Sequence, residues 1–575
     1  MMNKKLALLF ICIALVGLTQ AQGGADATIV TDSDRSVEEA HRLRVRPTRF
    51  DTVIPSPKTN YPLLVLQAET RFEIQKIEPA TLRHRPQLSQ LYNGYAKVGG
   101  GNRLMGLGEV YYTSTRSRKY NWGVHALHLS EWGQISDYAP SQYDRTKATA
   151  YGEVRENRYS YGGEIGYINQ GLHYYGFENP NASRDSIAQR FNALDFNGYY
   201  ASHPKDSAAI NYRLGLDYSY FNTRKPSADT LRDWRTQEHF VALRSEWQYK
   251  GSNHFLLSNM KADANVLYND YRFGVIDSTI PTVGHGREQR NTLIHLRPTT
   301  HFYSKNEKFQ FALGLDFTTD ITSNVNAFLY PVAQVQYSLF NDLFIPYVGV
   351  DGGVQQQRFA HLAFENEFIQ PSVPLRNQQH FDLNAGIKGT LSKKMSFNVG
   401  VSFSNNRNLA LFVNDTLFSA GNRFDVIYDT ATISSLYGSL SYQYNEKIKI
   451  DGIVRLHSYQ LRNNPYAWNL PQAEWILRGN YNVANKLYVK LDFVLEAGRR
   501  ALVTDPTIPN VQTEDGISFV PLGLIADGNL GVEYRYTPRV SFFGNLNNFA
   551  AQRYQRWFNY PVQAFQFMLG ATFKF

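Results

Sequence analysis

Residues 565–575 read FQFMLGATFKF, and their phase decides the fold. Phe565, Phe567, Leu569, Ala571, Phe573 and Phe575 fall on one side, whereas Gln566, Gly570, Thr572 and Lys574 share the other with Met568. Successive side chains of a strand point to opposite faces, so this is a ribbon with one oily and one polar surface. The pattern recurs. In 487–497, Leu487, Val489, Leu491, Phe493 and Leu495 oppose Tyr488, Lys490, Asp492 and Glu496. In 210–220, Ile210, Tyr212, Leu214, Leu216, Tyr218 and Tyr220 oppose Asn211, Arg213, Asp217 and Ser219. Phe309-Phe311-Leu313-Leu315-Phe317 and Met395-Phe397-Val399-Val401-Phe403 alternate in the same way.

Alternation alone fits a soluble sandwich as well. Length separates the two: these segments run roughly 10 to 17 residues, against about 5 to 6 for strands of soluble sheets and about 9 to 11 needed to cross a bilayer. Connections supply a second criterion. Short polar turns fall near 115–118, 156–158, 204–207, 251–253, 305–308, 341–342, 392–394, 445–447, 485–486 and 537–539. Longer ones lie between them, near 131–145, 172–187, 223–236, 271–289, 322–326, 359–378, 412–430, 462–471 and 503–518. Membrane barrels have short periplasmic turns and longer outer loops. The expectation is an all-β, transmembrane, antiparallel up-and-down β-barrel over 90–575, with about 22 strands (18–20 as alternative counts). Closure leaves no unpaired backbone edge in lipid. Trp122, Trp132, Trp247, Trp468, Trp475 and Trp557 lie near expected strand ends, where an interfacial girdle or ordinary packing would use them.

The 575 residues carry 14% aromatics and 43% hydrophobic residues, too rich for a disordered chain. A mean hydropathy of -0.40 excludes a bundle of membrane helices. Residues 1–21 have the form of a signal peptide: Lys4 and Lys5, an apolar run from Leu6 to Val16, and Thr19-Gln20-Ala21 as the cleavage site. The single cysteine, Cys12, belongs to that peptide, which excludes disulfides, Cys-based zinc and iron–sulfur centres from the mature chain. The formal charge of +9 is a mild surplus without a basic block, and export argues against nucleic acid. Residues 22–89 read as a periplasmic segment or linker.

A barrel of about 22 strands resembles the TonB-dependent receptors of Gram-negative outer membranes. The stretch Leu91–Gly133, LYNGYAKVGGGNRLMGLGEVYYTSTRSRKYNWGVHALHLSEWG, is similar to the opening strands of plug-less barrels of Bacteroidetes type, and Phe72–Leu91, FEIQKIEPATLRHRPQLSQL, fits their lead-in. Phe573 and Phe575 resemble the C-terminal barrel-assembly signal of outer-membrane barrels. The resemblance implies a cell outer-membrane location, lipid and the barrel-assembly machinery as partners, and a receptor- or channel-like role. True receptors of this class carry a plug of well over 100 residues; 22–89 is too short for one, so no independent plug domain and no TonB-driven import are expected.

A barrel this wide encloses space. The polar faces offer Arg213, Asp217, Asp316, Lys449, Asp451, Arg455, His457, Lys490, Asp492 and Glu496 as lumen-lining candidates, either along a solute path or as ion-paired stiffening. An open pore of that width would breach the membrane, so 22–89, an infolded loop such as 359–378, or a separate plugging or envelope protein should fill it. Hydrolase, zincin, phosphate-loop and EF-hand signatures are absent, and His125 and His128, three apart, face opposite sides of a strand; no enzyme activity, metal or cofactor is expected. Two functions remain: solute passage or capture without its own TonB plug, or a non-transport accessory or scaffold subunit of an outer-membrane assembly, secretion or envelope-organising complex.

Overall fold

The computed structural model describes residues 91–575 except 204–209, 225–234, 252–258, 274–286, 305, 372, 416–418, 420 and 505–507. The signal peptide expected at 1–21 and the segment expected at 22–89 lie outside the described residues. Alternating chemistry produces one sheet of 22 strands. Each strand pairs antiparallel with its chain neighbours, and the last, Gln566–Lys574, returns to pair with the first, Gly94–Gly101, from Tyr95↔Lys574 to Gly101↔Met568. Phe575 N donates to Gly94 O at 2.9 Å and Gly94 N to Phe575 O at 2.8 Å, which closes the seam down to the last residue. The sheet is therefore a closed barrel, and among the described residues there is no plug domain.

The two faces divide as their phase requires. Phe565, Phe567, Leu569, Phe573 and Phe575 are exposed on the outer surface, while Met568 and Thr572 between them are buried. The same holds for Ile210, Leu214 and Leu216 against Asn211 and Ser219. A dissolved protein would not leave such rows of large apolar side chains uncovered; hydrocarbon covers them. No described helix is long and apolar enough to cross a membrane, and the crossing is made by strands.

Strand lengths spread further than the alternation alone suggests. They run from the 8 residues of Gly94–Gly101 to the 22 of Phe424–Asn445, because Met395–Asn414 (20 residues) and Phe424–Asn445 continue as a paired ribbon. The loop-length rule also breaks twice on the outer side. Asn102–Leu104 turns the chain in three residues, with Arg103 and Leu104 at positive φ, and 322–324 replaces the longer connection expected at 322–326. Of the tryptophans, Trp122, Trp132, Trp247 and Trp475 are exposed near strand ends. Trp468 is instead buried in an outer loop with its Nε1 on Asn464 Oδ1, and Trp557 packs on Phe412 and Phe424. Residues of the outer connections form further small elements: a three-stranded sheet (Arg500–Leu502, Gln512–Glu514, Ile517–Pro521) and a hairpin (Gln555–Trp557 with Tyr560–Pro561).

Candidate functional site

The connection 356–377 does not stand away from the barrel. It crosses the outer mouth and bonds to the outer ends of strands from Tyr159–His173 round to Phe424–Asn445. Its Ile369 carbonyl accepts from Tyr174 Oη at 3.0 Å, Val373 O from Tyr271 Oη at 2.9 Å, and Pro374 O from Tyr428 Oη at 2.9 Å. Asn377 takes a bond from Asn291 at 2.7 Å and gives one to Asp320 at 2.8 Å. Phe359, Leu362, Phe368, Ile369 and Val373 are buried with Phe191, Phe221 and Tyr271 of the wall in one hydrophobic cluster. Other segments lock onto it: Phe368 stacks on Tyr560 at 3.6 Å, and Phe424 N donates to Phe368 O at 3.0 Å. The segment is a lid, and its backbone carbonyls are satisfied by tyrosine hydroxyls, as burial demands.

One carboxylate anchors it. Glu238, fully buried on the strand Thr236–Lys250, accepts from Phe359 N at 2.8 Å and Ala360 N at 3.0 Å, the first amides of the helix Phe359–Glu365, and from Asn269 Nδ2 at 2.9 Å. A carboxylate at a helix start answers both orphan donors and the local dipole. Arg358 Nε lies 3.8 Å from Glu238, its guanidinium is 4.1 Å above the Phe240 ring, and one nitrogen donates to Ser219 Oγ at 2.8 Å. Burial pulls Arg358 below the usual guanidinium range, against the pull of Glu238. Within the lid, burial pushes the Glu367 carboxyl up to about 7, opposed by Arg145 and Arg556 and by a bond from Gln170.

Beneath Arg358 the inner wall opens into a recess of about 460 Å³. Glu164, Asp195, Asp217 and Glu246 line it together with Arg213, Arg244 and the Tyr199 ring. Alternation puts them there: Leu194, Phe196, Leu214, Leu216 and Leu243 on the same strands face lipid. Register then sets neighbours, with Asn197↔Asp217 and Arg213↔Glu246 directly opposed. Arg244 Nε donates to Asp217 at 2.6 Å and Arg213 lies 4.6 Å over the Tyr199 ring.

Of the residues singled out in the sequence, Arg213 and Asp217 meet in this recess. The others are distributed along the wall, some paired across strands and some along a single strand. Asp316 is buried, bonded by Thr318 Oγ1 at 2.7 Å and 3.9 Å from Arg297. Lys449 lies 3.3 Å from Asp451, Arg455 3.1 Å from Glu474, Lys490 3.7 Å from Asp492 and Glu496 3.9 Å from Arg499, while His457 Nδ1 is 2.8 Å from Ser435 Oγ. Glu164, Glu246, Arg244 and Glu238 escaped the sequence reading although the same alternation on 159–173 and 236–250 places them inward. Among the described residues no group of three or more His, Cys, Asp or Glu side chains is placed to hold a metal ion.

No known family model matches this sequence, and no curated protein does. Solved structures do match. The pyoverdine outer-membrane receptor FpvA of Pseudomonas aeruginosa PAO1 superposes with a TM-score of 0.62 at 12% identity, covering 85% of this chain and 79% of that one. The ferric-catecholate import receptor Fiu of E. coli K12 gives 0.60 at 10%, with 84% and 82% covered. The siderophore receptor PirA of Acinetobacter baumannii gives 0.62 at 10%, with 85% and 81% covered. At such identities the likeness is one of fold: the chain has the 22-strand barrel architecture of these outer-membrane receptors. These neighbours are transport receptors rather than enzymes.

Proposed function

We propose that this chain is a receptor- or channel-like outer-membrane barrel that captures or passes a small polar solute without its own TonB plug, as in plug-less barrels of Bacteroidetes type. The observation that carries the reading is the lid 356–377 bonded across the outer mouth above a charged recess: closure and a polar binding wall are combined in one chain. Arg213, Asp217 and their neighbours act as the solute-facing wall, and the paired charges from Asp316 round to Glu496 keep the wide wall stiff and polar. Phe573 and Phe575 serve recognition by the barrel-assembly machinery, and a separate envelope protein is the partner that moves the lid or fills the periplasmic side.

Planar-bilayer conductance tests this. The full chain should give small, infrequent steps, and replacing 359–375 by a short Gly-Ser turn should give large, stable ones. A barrel that stays silent after lid removal, and co-purifies stoichiometrically with other envelope proteins, would instead be a scaffold subunit.

A further inference from the structure

The lipid-facing surface carries a groove that neither the lid nor the lumen explains. Two rows of hydrogen-bonded neighbours cross the strands from Met395–Asn414 to Leu487–Ala497. One row is Val399, Gly438, Val454, Trp475 and Leu495; the other is Phe397, Leu440, Gly452, Leu477 and Phe493. Each row has a glycine where its neighbours have large apolar side chains, and a Cβ built at Gly438 or Gly452 would meet nothing within 4 Å. The result is an apolar channel of about 490 Å³ cut into the outer surface.

Its Phe397 end lies next to the turn 393–394, on the side of the short turns and the C-terminus, which is the periplasmic side. That rim is basic. Lys393 and Lys394 form one turn and Lys447 stands in the adjacent one, all exposed, against the single acid Glu446. Lys394 Nζ lies 4.3 Å over the ring of Tyr444, a lipid-facing residue at the boundary. An apolar slot open to hydrocarbon, with ammonium groups at headgroup level beside its mouth, matches one molecule type in both halves.

We propose that this groove holds an acyl chain of an anionic phospholipid of the periplasmic leaflet, with the lipid phosphate on Lys393, Lys394 and Lys447. The apolar half supplies shape and the lysines supply the preference for negative charge. The site is independent of whether the lumen conducts.

Native mass spectrometry of the full chain, extracted in mild detergent and titrated with phosphatidylglycerol or with phosphatidylethanolamine of the same chains, tests it. A saturable adduct of one phosphatidylglycerol is expected, and each lysine changed to alanine should lower the preference for it about fivefold. Gly438→Leu should remove the adduct while heat-modifiable migration stays unchanged, since the added side chain fills open space. Gly452→Leu provides the second variant should the first fold poorly. Equal adducts with the two lipids, an adduct indifferent to the lysine and glycine changes, or a change of oligomeric state in place of lipid loss would each overturn the proposal.

Discussion

Replacing Glu238 by alanine is the sharpest probe of the lid. The side chain is fully buried and holds the amides of Phe359 and Ala360 at 2.8 and 3.0 Å, with Arg358 at 3.8 Å. Its loss strands three buried donors, Phe359 N, Ala360 N and Asn269 Nδ2, each costing about 1–3 kcal/mol, and leaves Arg358 without its nearest counter-charge. Breaking a buried pair by removing one partner costs about 3–5 kcal/mol, which we take as the total because the terms overlap. The lid's opening equilibrium should therefore rise by roughly 10²- to 10⁴-fold. Hydrogen exchange of the 359–365 amides, read by mass spectrometry on the detergent-solubilised barrel, should accelerate by that factor while the strand amides of 395–445 stay protected. Glu238→Gln keeps an acceptor and loses only the charge, so its effect should be about 1–2 kcal/mol. If exchange in 359–365 is the same in wild type and Glu238→Ala, with the barrel still closed, the anchoring role assigned to this carboxylate is wrong.

Lid stability should also depend on pH. Glu367 sits above the ordinary carboxylate range, so closure binds its proton; this contribution is complete below about pH 4.5 and fades as pH rises through about 7. Exchange of the 366–371 amides should accelerate from pH 5 to 8 beyond the intrinsic chemical rate, and Glu367→Gln should flatten that excess. At the seam, a Cβ on Gly101 would lie 2.2 Å from the Phe567 carbonyl oxygen, a backbone atom with nowhere to go. Gly101→Ala should cost about 1–3 kcal/mol and lower the temperature at which the folded band disappears on a gel, whereas Gly438→Ala should leave it unchanged. In the lid-deleted barrel, changing Glu164, Asp195 and Glu246 to amides should move the reversal potential in a salt gradient toward anion selectivity; an unmoved potential would remove the recess from the conduction path.

The barrel was legible because its rule is local. Phe565 to Phe575 declare their phase within eleven residues, and Ser392–Lys394 and Asn445–Lys447 mark their turns without help from distant parts of the chain. The lid was legible only as a segment that would need to fold inward. What makes it a lid is Glu238 meeting Phe359 and Ala360 across more than 120 positions, and tyrosines 174, 271 and 428 reaching backbone carbonyls, none of which leaves a periodic trace. Loop length misled at 322–326, where Ile321 and Val325 are already paired and only three residues turn the chain. The polar face told which residues look inward but not which meet: Arg213 and Asp217 line one recess, whereas Arg455 pairs with Glu474 across strands elsewhere on the wall, since register decides neighbours.

The wall is not of even height. At Gly94–Gly101 it has 8 residues and at Gln566–Lys574 it has 9, and a tilted strand needs about 9 to 11 to match the hydrocarbon. Lipid tails beside this flank must compress to meet it, at a cost of fractions of a kcal/mol per ångström of mismatch. The bilayer is thus pinched where the first and last strands zip together.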